Sequence, residues 1–148
     1  MKQLFFDTAY LGKLHWMEPG SADVQALAGT ADQIVSSHHG RAEFYSIGFR
    51  KVREGLVSPA VAQVVFAQFN ADISEGEVLL LPLTDSILDR VEQVFTTAPD
   101  TAYLRAADAL HLATAAEAGF VEIYSNDKHL LAAAPLFGLA GVDIIPTD

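Results

Sequence analysis

Short apolar runs alternate along the chain with longer stretches of helical apolar spacing. Gln3-Leu4-Phe5-Phe6 ends at Asp7-Thr8, and Tyr10, Leu11 and Leu14 follow three to four residues apart, which predicts a strand and then a helix. After the Pro19-Gly20 break, Ser21 is the expected N-cap of a helix through Leu27. Gln33-Ile34-Val35 reads as a second strand before a helix that carries Glu43 and runs to about Glu54, where Gly55 stops it. Ser58-Pro59 has the cap-then-proline form of a helix start, with Val61, Val64, Val65 and Phe69 as its apolar face through about Asn70. Val78 to Leu83 predicts a buried strand, and Thr84 or Asp85 caps a helix through Phe95. Thr101 to Ala118 predicts a long alanine-rich helix closed by Gly119, Phe120 to Tyr124 another strand, and Val142 to Ile145 the last element.

Strands that alternate with helices need right-handed crossovers and a mostly parallel sheet covered on both faces, so the expected class is α/β. No linker-like stretch or internal repeat interrupts the 148 residues, and one domain spanning 1–148 is expected. Half the residues are apolar, the composition of a globular chain. The absence of cysteine excludes disulfides, zinc thiolate sites and thiol catalysis, and fits a cytoplasmic setting. Met1 to Phe6 holds one lysine and a very short apolar run, in which neither a signal peptide nor a membrane helix can be drawn.

A net charge of −10 argues against broad attraction to nucleic acid. Yet four of the nine basic residues, Arg41, Arg50, Lys51 and Arg53, fall in one short segment, so a local basic stripe coexists with an acidic whole. Arg50, Lys51 and Arg53 are candidates for meeting RNA phosphates, with an ordinary solvated helix face as the competing reading.

Ligands of an open parallel sheet bind beyond the carboxyl ends of its strands, which singles out acidic residues that directly follow an apolar strand. Asp7 and Asp127 meet that test, each with helix N-cap or turn duty as its alternative. Asp108 sits in Leu104-Arg105-Ala106-Ala107-Asp108-Ala109-Leu110-His111, inside an otherwise largely apolar helix. A buried charge there needs a partner or a metal, and Arg105, three residues earlier, is the competing partner. Glu43 alone has no such signal and equally suits an exposed helix face. Carboxylates gathered in one cleft repel each other, and a hard divalent cation such as Mg2+ or Mn2+ relieves that repulsion through oxygen ligands. His111 reads as a packed, hydrogen-bonded histidine. His38-His39 and His15 show no ligand spacing with a partner, which argues against zinc.

Taken in order, Phe6-Asp7-Thr8, Glu43, Leu104-Arg105-Ala106-Ala107-Asp108-Ala109-Leu110-His111-Leu112-Ala113-Thr114-Ala115 and Ser125-Asn126-Asp127-Lys128-His129-Leu130 resemble the PIN domain, and in particular the VapC-type toxins of toxin-antitoxin pairs. The resemblance implies a three-layer domain with a central sheet between helices. It also implies a Mg2+- or Mn2+-dependent endoribonuclease with Asp7, Glu43, Asp108 and Asp127 as its acidic pocket, and Thr8 and Ser125 as supporting hydroxyls. A homodimer and a cognate antitoxin that blocks the site are implied as well. The sequence alternatives are a non-catalytic PIN-like module that binds RNA or protein, and a phosphatase of the haloacid dehalogenase type. Against the second stands Ala9, where such an enzyme carries another aspartate.

Overall fold

A computed structural model describes residues 1–147. Five short strands carry the sheet: β1 (Gln3–Phe5), β2 (Gln33–Ser37), β3 (Val78–Leu81), β4 (Glu122–Tyr124) and β5 (Ala140–Val142). β2 pairs in parallel with β1 and β3, and β4 pairs in parallel with β5. A parallel bridge between Phe6 and Tyr124, continued by the Asp7 amide donating to the Tyr124 carbonyl at 3.1 Å, joins the two groups in the order β3-β2-β1-β4-β5. Consecutive side chains of a strand point to opposite faces, so Leu4, Phe6 and Ile34 enter one core while Phe5 and Val35 enter the other.

The first core is covered by α1 (Thr8–His15), α2 (Ser21–Ala28), α3 (Gly40–Arg53) and α4 (Pro59–Ser74), through Tyr10, Leu11, Val24, Phe44, Ala62 and Phe69. Phe44 stacks on Phe69 with ring centroids 3.9 Å apart. The second is covered by α5 (Asp85–Thr97), α6 (Ala106–Glu117) and α7 (Lys128–Ala133), with a 3-10 turn at Ala134–Phe137. The result is a three-layer α/β architecture, the class expected from the alternation of elements. No described helix is long and apolar enough to cross a membrane.

Several boundaries move, each for a local reason. Gly20, with φ +90°, is the N-cap of α2, while Ser21 turns its hydroxyl back to accept from the Glu18 amide and donate to the Trp16 carbonyl. On α4 the inward stripe is Ala62, Val65, Phe66, Phe69 and Ile73; Val61 is 49% and Val64 70% exposed. Both valines lie about 100° of helical rotation from an inward neighbour. β3 lies at the end of the sheet order and buries only Val78, so it is not the buried strand its apolar run suggests. The last strand forms at Ala140–Val142 instead of Val142 to Ile145. Beyond it Asp143 accepts from the Tyr10 hydroxyl at 2.6 Å, which ties the chain down as it leaves the sheet. α7 follows Asp127 where no helix was expected.

The largest shift concerns α6, which begins at Ala106 and not at Thr101. Arg105 is its extended N-cap residue, with φ −94° and ψ 153°, and Asp108 therefore lies in the first turn. There the helix dipole favours a carboxylate, so propensity does not oppose Asp108 as it would in a helix interior.

The two faces of α4 separate by mutation. Phe69→Ala is expected to cost about 3–5 kcal/mol in urea denaturation, and Val64→Ser to stay within about 0.5 kcal/mol. Equal losses at both positions would contradict the inward stripe described here.

Candidate functional site

The parallel order sets the carboxyl ends of β1, β2 and β4 side by side. Two or three residues separate the starts of α1, α3 and α7 from the ends of β1, β2 and β4. Asp7 leaves β1 as the N-cap of α1 and Asp127 leaves β4 as the N-cap of α7. Asp7 Oδ1 accepts from the Tyr10 amide at 3.0 Å, and Asp127 Oδ1 from the His129 amide at 2.8 Å and the Leu130 amide at 3.3 Å. The capping and site readings are thus compatible, because each cap uses one oxygen and leaves Oδ2 turned elsewhere. Ser125, fully buried, donates its hydroxyl to Asp7 Oδ2 at 2.5 Å and accepts from the Asp127 amide at 2.9 Å, linking the two loops through one atom.

Asp108 approaches from α6 and Glu43 from the first turn of α3. All four carboxylates line one cleft of about 550 Å3 together with Thr8, Ala9, Arg105 and His111. The cleft does not include Arg50, Lys51 or Arg53, which lie on the C-terminal part of α3 about 10–15 Å along its axis from Glu43. Lys51 pairs with Glu18 at 2.7 Å, and Arg53 lies over the Phe49 ring at 5.9 Å.

The cation in the cleft is Arg105. Its Nη2 stands 2.9 Å from Asp108 Oδ2 and 2.8 Å from Asp127 Oδ2, and its Nε donates to Asp108 Oδ2 at 3.0 Å. Arg105 is the partner of Asp108 that the sequence spacing predicts, and its guanidinium also reaches Asp127, bridging two of the four carboxylates while half-exposed at the mouth. Its extended backbone, outside the helix, is what the periodic pattern missed.

Burial dominates at Asp7. It raises the carboxyl from 3.8 to about 6, against hydrogen bonds from Ser125 and the Tyr10 amide that lower it. Glu43 ends on the opposite side of its ordinary value. Burial pushes it up, but the hydrogen bond and charge of His111, with Thr8 and His39, outweigh burial and hold it down. Its Oε1 accepts from Thr8 Oγ1 at 2.9 Å and from His111 Nε2 at 2.7 Å, with His39 Nε2 at 3.4 Å. Burial, with His111 beside it, pushes His39 down to about 4 and leaves it a neutral imidazole near pH 7. His111 is buried and hydrogen-bonded, as expected, with Nδ1 3.0 Å from Ser37 Oγ. His39 is the residue that sequence reasoning missed; its spacing of four from Glu43 on one helix was the available signal.

The donor set is made of carboxylate oxygens with two hydroxyls behind them. Oxygen donors of this kind match a hard divalent cation in chemistry, and the guanidinium between Asp108 and Asp127 shows that positive charge is accommodated there.

A family model described as PIN domain matches residues 4–135. No curated protein is significantly similar in sequence. Among solved structures, VapC20 of Mycobacterium tuberculosis, described as a sarcin-ricin loop cleaving toxin, is similar with a TM-score of 0.66 at 17% identity, over 88% of this chain and 94% of that one. FitAB bound to an IR36 DNA fragment is similar with a TM-score of 0.69 at 16% identity, over 98% and 97%. FitAcB from Neisseria gonorrhoeae follows with a TM-score of 0.65 at 14% identity, over 93% and 95%. At these identities the likeness is one of fold.

The raised Asp7 pKa has a signed consequence for stability. Between 3.8 and about 6 the folded chain holds a proton that the unfolded chain has released, so Asp7 increasingly opposes folding as pH rises. The effect is complete above about pH 6, at an order of 3 kcal/mol. In chelator, Asp7→Asn is expected to raise Tm relative to the parent near pH 7, with the gain fading towards pH 4. A Tm difference that does not change with pH would contradict this assignment.

Proposed function

The chain belongs to the PIN domain family, and on that premise we propose that it is a divalent-metal-dependent endoribonuclease, acting as the toxin of a toxin-antitoxin pair within one nuclease domain, residues 1–148. The observation that carries the reading is the meeting of Asp7, Glu43, Asp108 and Asp127 in one cleft, from four separate parts of the chain. A Mg2+ or Mn2+ ion held by these carboxylates would polarise a phosphodiester and make water a stronger nucleophile near neutral pH.

The residues divide the remaining work. Asp7 is held rigidly for a ligand role, with Oδ1 taking the Tyr10 amide and Oδ2 the hydroxyl of Ser125. Glu43 is fixed by Thr8, His111 and His39, so its orientation does not depend on substrate. Arg105 can exchange its carboxylate partners for a phosphate oxygen of the bound strand, offering a local cation in a chain of net charge −10. Arg50, Lys51 and Arg53 extend contact along the RNA beyond the cleft.

Two protein partners complete the reading. The groove between α3 and α4, lined by Tyr45, Phe49, Val52, Pro59 and Phe66, leaves Phe49 66% exposed, and Leu56 nearby is equally exposed. Apolar surface of this kind suits a protein contact, either the second subunit of a homodimer or the antitoxin. A cytoplasmic site of action goes with RNA as substrate.

Purified chain is expected to cleave structured RNA with Mg2+ or Mn2+, and chelator to abolish the cleavage. Asp7→Asn and Asp108→Asn are expected to lower the rate by roughly 100-fold or more. Intact RNA across a broad set of substrates, with both metals and with the protein folded and free of antitoxin, would overturn the nuclease reading. Arg105→Ala is expected to tighten Mn2+ binding measured by calorimetry, because the guanidinium competes for the same oxygens; weaker or unchanged binding would rule out that competition.

A further inference from the structure

One end of the cleft differs chemically from the rest. Asp7, Asp108 and Asp127 face hydroxyl, amide or guanidinium partners, whereas Glu43 faces two imidazoles. His39 stands at the N-cap of α3, Glu43 one turn later, and His111 in the second turn of α6. Glu43 Oε1 is 2.7 Å from His111 Nε2 and 3.4 Å from His39 Nε2, and one ligating atom from each of the three residues falls within 4.8 Å of the others. The imidazole centroids are 4.1 Å apart.

We propose that His39, Glu43 and His111 form a second cation position in this chain, selective for a borderline divalent transition ion such as zinc or cobalt(II), beside the oxygen-lined position of the three aspartates. Two imidazole nitrogens and one carboxylate oxygen are the donor set that such ions prefer and that Mg2+ does not. Glu43 and His111 are held together in advance of any ion. His111 is buried, and its outer nitrogen lies 3.0 Å from Ser37 Oγ, a hydroxyl that can turn to accept the Nδ1 proton when Nε2 becomes a ligand. α3 and α6 approach closely because Gly40 has no side chain: a Cβ there would lie 3.3 Å from the His111 ring and 3.2 Å from Thr8 Oγ1. Thr8 Oγ1, 3.0 Å from His111 Nε2, or a water completes four-coordination. His39 gives up a 3.2 Å contact with the Ala107 carbonyl to take part. An ion in this position ties Glu43 to the histidine end and withdraws it from the aspartates.

The test is metal binding by the metal-free full chain in millimolar Mg2+, with Zn2+ followed by calorimetry and Co2+ by visible absorption. One Zn2+ or Co2+ per chain is expected to bind despite the Mg2+, with ligand-field bands of a low-coordinate nitrogen and oxygen site. His39→Gln, at a partly exposed position, and His111→Gln are each expected to weaken Zn2+ binding by about tenfold or more, while Asp108→Asn leaves it nearly unchanged. The His39 variant decides the matter even if the buried His111 variant does not fold. Equal Zn2+ affinity in the parent and His39→Gln, or a loss in Asp108→Asn as large as in His39→Gln, overturns the proposal. RNA cleavage is not the readout, so failure of this site and failure of the nuclease reading are distinguishable.

Discussion

Carboxylates gathered at one place repel each other, and much of the local structure around this cleft works to contain that repulsion. Asp7 and Asp127 each give one oxygen to the amides of a helix N-terminus, where the backbone carries partial positive charge. Asp108 has the first turn of α6 and the guanidinium of Arg105, which it shares with Asp127. Glu43 has a hydroxyl and two imidazoles. Each of the four has its own combination of these partners, and at Asp7, the most deeply buried, burial outweighs them and raises the carboxyl.

The same devices explain how much of the site was legible in the chain. Asp7 and Asp127 are found by an argument about strand ends alone, since a parallel sheet gathers the residues that follow its strands. Asp108 was singled out for two reasons, of which one survives: it is a largely buried charge with a partner in Arg105, but it occupies a favourable first turn, not a hostile helix interior, because Thr101 to Arg105 stay out of the helix. Periodicity cannot show that, as Leu104 packs inward whether the backbone there is helical or extended. Glu43 rested on resemblance. Its structural signature is its pairing with His111, which lies 68 residues away and depends on two helices meeting across the end of the sheet.

The fold was more legible than its edges. Strands and helices alternate as the apolar pattern predicts, and Leu4, Phe5 and Phe6 divide between two cores as a period of two requires. What the pattern overstated was burial on α4 and β3. Valine and leucine are placed in exposed positions there, and composition alone cannot tell a core face from a face left for another protein. Net charge is a coarse guide in a similar way. The total of −10 is spread over the molecule, while the proposed reaction concerns one cleft whose own cation, Arg105, comes from a segment carrying no other basic residue between Arg90 and Lys128.

Asp7 and Asp127 each hold a helix in place with the same side chain that faces the cleft, and this couples two histories that could otherwise diverge. A lineage that no longer needed the acidic pocket could lose either charge freely, but losing the capping oxygen as well would weaken α1 or α7 by about 0.5–2 kcal/mol. Decay is therefore channelled: drift at these two positions runs most easily through asparagine, serine or threonine, and a retired descendant of this chain would keep the outline of its pocket long after the charge had gone.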